Sequence, residues 1–171
     1  LKYMRNQDLG IDINQTIVLK GPGVIVDSLF RQTLEAFKTE SLRIPGITSM
    51  TASTNVPGDE IFWASGIKRI VGEPENSISG YTVGIDHDYV SSFDLNIIAG
   101  RNFDLDHPNE KKNVILNRAM VIALEFDDVK SAIGEKVRHG GDTMEIVGVL
   151  EDYHQMSMKE VVTPLVYRYT P

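Results

Sequence analysis

The stretch that decides the fold runs from Asp86 to Phe103 and reads DHDYVSSFDLNIIAGRNF. Its pattern predicts an aromatic-bearing helical turn at Tyr89–Phe93, then a short buried strand, then a Gly-Arg-x-Phe corner that begins at Gly100. No pair of residues in it has the spacing of a catalytic motif. The stretch therefore predicts a structural unit of the fold and not an active site.

The sequence after this stretch predicts short strands, short helices and one hairpin. Gly140-Gly141-Asp142 is a turn sequence, because its residues tolerate the positive φ that a tight hairpin needs. The elements predicted here are a strand at Val114–Leu116, helices at Arg118–Leu124 and Val129–Ile133, the two hairpin strands at Glu135–Val137 and Met144–Leu150, and a last strand at Pro164–Tyr169.

The sequence before the stretch predicts a β-α-β opening followed by a hairpin. The helix begins at a cap formed by Asp27 or Ser28, continues through apolar residues at helical spacing, and ends before Pro45-Gly46. The predicted strands are Thr16–Leu19 and Ile47–Val56 on either side of this helix, and then Ile61–Val71 and Ser79–Ile85, which the polar loop 72–76 joins.

Composition excludes several classes of protein. The 171 residues carry 17 Lys and Arg against 24 Asp and Glu, a net charge of −7, which disfavours a nucleic-acid partner. With no cysteine, the chain has no disulfide scaffold, thiolate metal site or cysteine nucleophile. No apolar run approaches the roughly 20 residues that cross a bilayer.

Two acidic segments are candidates for chemistry, and each has a simpler structural interpretation. Asp86-His87-Asp88 has two carboxylates around an imidazole, but neighbouring residues point in different directions, so we expect a helix cap and no metal. Asp152-Tyr153-His154 contains an acid and a base without a recognisable nucleophile elbow. We therefore expect no catalytic residues, no cofactor-binding residues and no bound cofactor.

Two further motifs are incomplete. Gly21-Pro22-Gly23 follows a predicted strand, but it lacks the spacing of a phosphate-binding loop and its proline removes one N–H donor. Asp104-Leu105-Asp106 lacks the glycine and the final glutamate of a calcium-binding loop. Neither motif predicts a ligand site.

Phe62 and Trp63 are the candidate contact residues for a substrate or a protein partner. Neighbouring residues on a strand face opposite sides, so we expect one of these two aromatic side chains to be exposed. An exposed aromatic residue at this place would mark an interaction surface.

The order of these motifs resembles the MacB-like periplasmic core domain, the extracytoplasmic part of a class of ABC-transporter permeases. No single motif is diagnostic, whereas the order and spacing of the set are specific. The segments that carry the resemblance are Asp8-Leu9-Gly10-Ile11, Ile44-Pro45-Gly46-Ile47, Val56-Pro57-Gly58, Asp88-Tyr89-Val90, Ala99–Phe103, Val114–Asn117, Ile133–Lys136, Ile146–His154, Met158–Glu160 and Pro164–Tyr167.

The resemblance implies an α+β fold with a β-α-β porter-like subdomain and an inserted mostly-β subdomain. Its expected boundaries are a membrane-proximal stalk at 1–12, the porter-like subdomain at 13–56 and 143–171, and the insertion at 57–142. It also implies that Leu1, Tyr3 and Pro171 lie nearest the membrane. Within the same resemblance, we expect structural roles for Gly100, Gly148 and Pro57.

The resemblance further implies a MacB/FtsX-type permease on the periplasmic side of the bacterial inner membrane, without enzymatic activity in this domain. Its implied partners are a second permease copy in a homodimer, a cytoplasmic ATP-binding subunit, a periplasmic adaptor, and the membrane through flanking helices. Two alternatives remain open at this point. One is a free-standing periplasmic binding or adaptor module, and the other is a small hydrolase that uses Asp152 and His154.

Overall fold

The computed structural model describes residues 11–21, 30–71, 77–155 and 162–170. They form three α-helices and seven strands, with a 3₁₀ turn at Glu110–Lys112. In chain order the elements are α1 (Phe30–Ser41), β1 (Ala64–Arg69), β2 (Ile78–Ile85), α2 (Tyr89–Ser92), β3 (Ile97–Gly100), β4 (Asn113–Asn117), α3 (Arg118–Ala123), β5 (Lys136–His139), β6 (Asp142–Leu150) and β7 (Leu165–Tyr169).

Six of the strands pair in a closed ring. The order is β6-β4-β7-β2-β1-β5, and β5 pairs back to β6, so the described strands of the ring leave no free edge between them. The pairs β2–β7 and β4–β6 are parallel and the others are antiparallel. The remaining strand, β3, pairs with the last residues of β6 beyond the end of β5. Closure removes the exposed strand edges that would otherwise pair with other chains.

Two apolar clusters occupy the two faces of this sheet. Alternate residues of a strand pack in different clusters. In β4, Val114 and Leu116 belong to the first cluster, and Ile115 belongs to the second. The first cluster receives apolar side chains from all six ring strands, so it lies inside the ring, where Met120 and Val121 of α3 also pack. The second covers the outer face around Tyr89 and Phe93, whose rings meet edge to face at 4.9 Å. Within 86–103 the predicted helical turn is confirmed as α2 and the predicted strand as β3, but β3 is half-buried and not buried.

The predicted hairpin is confirmed, and two other glycines have a packing reason. Gly140 and Gly141 connect β5 to β6 with φ of 59° and 91°, as a tight hairpin requires. A Cβ on Gly148 would collide with the carbonyl oxygen of Arg101, and one on Gly100 with the carbonyl oxygen of Val147. These glycines let β3 and the Gly-Arg corner approach β6 closely.

The two strands predicted beside α1 do not form, and that prediction was wrong. Residues 16–19 have no strand pairing, and 47–56 contribute only an isolated bridge between Ser53 and Ile85. A strand-like composition reflects fit to a pleated, half-buried surface, and no neighbouring strand among the described residues supplies one here. Of the predicted β-α-β opening, the described chain contains only the helix.

Further predictions need adjustment. Residues 129–133 form turns and not a helix. β6 and β7 lie mainly in the predicted porter-like subdomain, and they pair in one ring with strands of the predicted insertion at 57–142. The division into porter-like and inserted subdomains stays a prediction. The predictions that fall outside the described residues are those for 1–10 of the stalk with Leu1 and Tyr3, the Asp27 or Ser28 cap, the loop 72–76, and Pro171.

Candidate interaction surface

Both aromatic side chains of the Phe62–Trp63 pair are exposed, by 78% and 75%. The prediction that one of them is exposed rested on the alternation of a strand that begins at Ile61, but β1 begins at Ala64. Residues 61–63 lie before the strand, so the alternation of faces does not apply to them. Of these three residues only Ile61 is buried, and it packs in the outer apolar cluster directly before the two exposed rings in the chain.

Phe62 borders an open cleft of about 560 Å³, here called the aromatic cleft. Its walls are two chain segments, one before α1 and one before β1. The lining residues are Val18, Leu19, Lys20, Gly21, Ser53, Thr54, Asn55, Val56, Asp59, Glu60 and Phe62. The volume of the cleft falls in the range of small-ligand clefts, but this cleft is wide open to solvent. Trp63 lies next to the cleft in sequence but does not line it.

The first wall of the cleft is the segment predicted as a strand. Ile17 and Leu19 in it are 84% and 68% exposed, and Lys20 follows them. On the other wall, the side chains of Asp59 and Glu60 form no ion pair with any described residue. The cleft therefore places exposed apolar side chains beside charged ones, and an exposed apolar patch rimmed by polar residues marks an interaction surface.

Gln155 fixes the second wall to the core. Its side-chain Nε2 donates to the carbonyl oxygens of Val56 and Asp59, both at 3.2 Å, and its own carbonyl accepts from Gly58 N at 2.8 Å. Its Oε1 accepts from the buried hydroxyl of Tyr153 at 2.7 Å. Sequence reasoning missed this residue, because a single glutamine 96 positions from Asp59 gives no local signal.

Asp86 and Asp88 lie at the end of β2, in contact with Lys38 of α1. Lys38 Nζ donates to Asp86 Oδ2 at 3.0 Å and to Asp88 Oδ2. Asp86 Oδ1 accepts from Asp88 N at 3.1 Å, so the predicted capping of backbone N–H groups by this segment holds for Asp86, whereas the Asp88 side chain caps nothing. No group of three or more His, Asp or Glu side chains within the described ranges is arranged to hold a metal ion.

Asp152 and His154 lie close enough to interact electrostatically, but they do not form a hydrogen-bonded acid–base pair. Asp152 Oδ1 accepts from Ala119 N at the start of α3, at 3.0 Å, and no hydrogen bond joins it to His154 in the described part of the chain. Burial raises the pKa of Asp152, and the hydrogen bond from Ala119 opposes that shift. The carboxylate therefore joins the first turn of α3 to the segment that follows β6.

His139, in contrast, contacts two hydroxyl groups. His139 Nε2 lies 2.6 Å from Ser65 Oγ and 3.0 Å from Thr82 Oγ1, which join β5, β1 and β2. Burial lowers the pKa of His139, Arg168 lowers it further, and Asp142 acts in the opposite direction. The other ring nitrogen, Nδ1, is buried without a hydrogen-bond partner among the described residues, so no carboxylate orients the imidazole as in a hydrolase triad.

Comparison with known proteins identifies the family of this domain. Residues 5–170 match the family described as the MacB-like periplasmic core domain. The chain belongs to this family. The MacB-like family comprises periplasmic core domains of ABC-transporter permeases, which confirms the resemblance. No curated protein matches the chain.

Solved structures share the fold at low sequence identity. The periplasmic region of MacB from Actinobacillus actinomycetemcomitans has a TM-score of 0.53 and 15% identity, over 79% of this chain and 54% of its own. The extracellular domain of the noncanonic ABC-type transporter YknZ from Gram-positive bacteria has a TM-score of 0.54 and 21% identity, over 78% of this chain and 60% of its own. The MacB-like chain thus spans between half and two thirds of these relatives. Among its described helices, none has the length and hydropathy needed to span a membrane.

Proposed function

We propose that this MacB-like domain is the extracytoplasmic part of a MacB/FtsX-type ABC permease on the periplasmic side of the bacterial inner membrane. In this proposal, a cytoplasmic ATP-binding subunit hydrolyses ATP, and the domain transmits the resulting movement of the membrane helices to a periplasmic substrate or partner. The observation that carries the proposal is the family match over residues 5–170. The domain itself performs no catalytic step.

The architecture supports transmission by a rigid body. The ring is closed, and apolar residues pack against both of its faces. A body of this kind moves as a unit about its connections instead of deforming, because close-packed interiors are only slightly compressible. The partners in the proposal are a second permease copy, the ATP-binding subunit, a periplasmic adaptor, and the membrane through flanking helices.

We further propose that Phe62 and Trp63, with the aromatic cleft, contact the substrate or the periplasmic partner. Burial of two large aromatic rings supplies much of the free energy of binding in many interfaces. The anchoring of the 56–59 wall by Gln155 keeps this surface in one conformation before binding. Preorganisation of that kind lowers the entropic cost of association.

The first experiment tests the permease itself. The native reading frame is examined for an apolar helix of about 20 residues before Leu1 and three more beyond Pro171, and the membrane fraction of cells is probed for the product. Apolar helices on both sides and a membrane-bound product support the proposal. A cleaved leader and a soluble periplasmic product would instead identify a free-standing binding or adaptor module.

The second experiment tests the contact surface in the full-length protein. A photo-crosslinking amino acid replaces Phe62 or Trp63, and illuminated cells are analysed for adducts. The matched control position is Ile122, which is an apolar residue of α3 that is 66% exposed. Adducts from 62 and 63 but not from 122 support the surface, whereas equal yields at all three positions would contradict it.

A further inference from the structure

We infer that Lys38 is the positioning residue that holds α1 on the ring, and that ion pairs, not apolar packing, attach this helix. The relevant group, here called the Lys38 cluster, consists of Lys38 with Asp86 and Asp88. Lys38 and Asp86 are 3% and 1% exposed, so their contact is removed from solvent. Nothing in the family match assigns a role to this cluster.

The apolar side chains of α1 do not attach it to the ring. Phe37 is 47% exposed, Leu42 and Ile44 in the turn that follows the helix are 45% and 55% exposed, and Phe30 and Leu34 are only half-buried. Among the described residues, neither of the two apolar clusters includes a side chain from α1. A helix in a globular protein is normally stabilised by packing of its apolar face on the core, and in the described chain α1 contributes no side chain to either core cluster.

The Lys38 cluster provides the attachment instead. Lys38 Nζ donates to Asp86 and Asp88, and Glu35 Oε1 lies 3.6 Å away as a third carboxylate. These are the hydrogen bonds that connect α1 to more distant parts of the described chain. Burial acts to lower the pKa of Lys38, but the hydrogen bonds to Asp88 and Asp86 outweigh it and the pKa is raised. The amine therefore remains charged at neutral pH, and the contact is an ion pair.

Asp86 connects the helix to the segment that leads to the aromatic cleft. Besides Lys38, its carboxylate accepts from Thr51 Oγ1 at 2.5 Å and from Ala52 N at 2.8 Å. Two residues further on, Thr54 exchanges hydrogen bonds with Gly84 of β2, at 2.9 and 2.8 Å. One buried carboxylate thus fixes α1, the 51–54 segment and the end of β2 relative to one another. Removal of Lys38 leaves this carboxylate without a counter-ion, a change that buried ion pairs tolerate poorly.

The test is hydrogen exchange of the 171-residue protein with the substitution Lys38→Met, which keeps a long unbranched side chain but removes the charge. We expect the amides of α1 to exchange at least tenfold faster, while those of β4 and β6 stay within twofold of the unsubstituted protein. The matched control is Arg43→Met, which removes an exposed ion pair with Glu40 near the end of the same helix. It should leave exchange in α1 within twofold.

A milder variant covers the case in which Lys38→Met does not fold. Asp88→Asn removes the charge of the half-exposed partner only, and we expect exchange in α1 to accelerate severalfold with no change in the ring strands. Unchanged exchange of α1 in the variant that folds would overturn the inference. Equal acceleration in α1 and the ring would overturn it too, because the cluster would then stabilise the whole domain and not the attachment of one helix.

A role of Lys38 in coupling rests on the proposed function and needs a separate measurement. The 171 residues contain no cysteine, so Gln32→Cys on α1 and Ile122→Cys on α3 provide two labelling sites in this domain, used for a spin–spin distance in a full-length protein whose cysteines elsewhere are replaced by serine. We expect the distance to be unchanged by ATP when Lys38 is present and to change or broaden with ATP in Lys38→Met. A distance insensitive to ATP in both proteins would overturn the role in coupling and leave the exchange result standing. A reading frame without membrane helices would refute the proposed function alone.

Discussion

Inside the ring, all six strands contribute apolar side chains to one cluster, whereas α1 is attached through a buried lysine and two aspartates. The first arrangement depends on many small contacts that reinforce one another, and the second on a few strong and directional ones. Loss of one apolar contact inside the ring weakens the whole domain. Loss of one charge at α1 should release a single element. Stability and attachment are thus provided by different interactions in different places.

The largest effect is expected inside the ring. Leu116→Ala removes a fully buried side chain of β4, and we expect a loss of about 3 kcal/mol in the free energy of unfolding, since buried Leu-to-Ala changes cost about 2–5 kcal/mol. Urea unfolding followed by circular dichroism measures it. Ile122→Ala, an exposed apolar truncation, is the control and should stay within about 0.5 kcal/mol. Similar losses in the two variants would contradict the assignment of the core.

A single amide at the junction of three elements should have the next largest effect. Asn117 Oδ1 accepts from Met120 N at 3.0 Å and from Leu165 N at 2.8 Å, and its Nδ2 donates to Thr163 O at 2.9 Å. Asn117→Ala removes the cap of α3 and leaves buried groups unpaired, so we expect a loss of about 2 kcal/mol.

The same urea titration measures the effect of Asn117→Ala, and Asn109→Ala provides the comparison. Asn109 precedes the 3₁₀ turn and its side chain caps nothing there. A loss below about 0.5 kcal/mol for Asn117→Ala would show that water satisfies the exposed N–H groups.

The pH dependence of stability should report on His139. Its pKa is lowered in the folded protein, so the unfolded chain binds a proton more readily as the pH falls below the ordinary value of 6.5. The contribution of the neutral imidazole is present above that pH and is lost as the pH approaches the folded pKa. We expect the urea midpoint to decrease as the pH is lowered from 7.5 to 5.5, a range in which carboxylates of ordinary pKa scarcely titrate.

His139→Gln is the comparison that isolates this residue. The substitution retains groups that bond Ser65 and Thr82 but does not titrate, so its midpoint should depend less on pH than that of the unsubstituted protein. Parallel curves for the two proteins would assign the dependence to another group.

The sequence predicted the ring strands better than the elements around α1, and the reason is physical. All five residues of β4 are buried, so its apolar run is read correctly as a strand that packs on both faces. The segment at 16–19 has the same kind of composition, but strand formation needs a neighbour, which local sequence does not specify. Closure of the ring and the Lys38 cluster were not predictable for a related reason. Lys38 and Asp86 are 48 positions apart, and a lysine on a helix ordinarily faces solvent.

The smallest effect on stability is expected at Phe62, which we propose contacts the substrate or the periplasmic partner. The side chain of Phe62 is almost entirely exposed in the folded protein, so its truncation to alanine removes little buried surface. We expect Phe62→Ala to change the free energy of unfolding by no more than about 0.5 kcal/mol. Trp63, the only tryptophan, reports on the same surface, and iodide should quench its fluorescence strongly in the folded protein. A loss above 1 kcal/mol, or a tryptophan protected from iodide, would mean that this surface is covered within the domain. In that case Phe62 and Trp63 would belong to the stable interior, and the surface for partners would have to lie elsewhere.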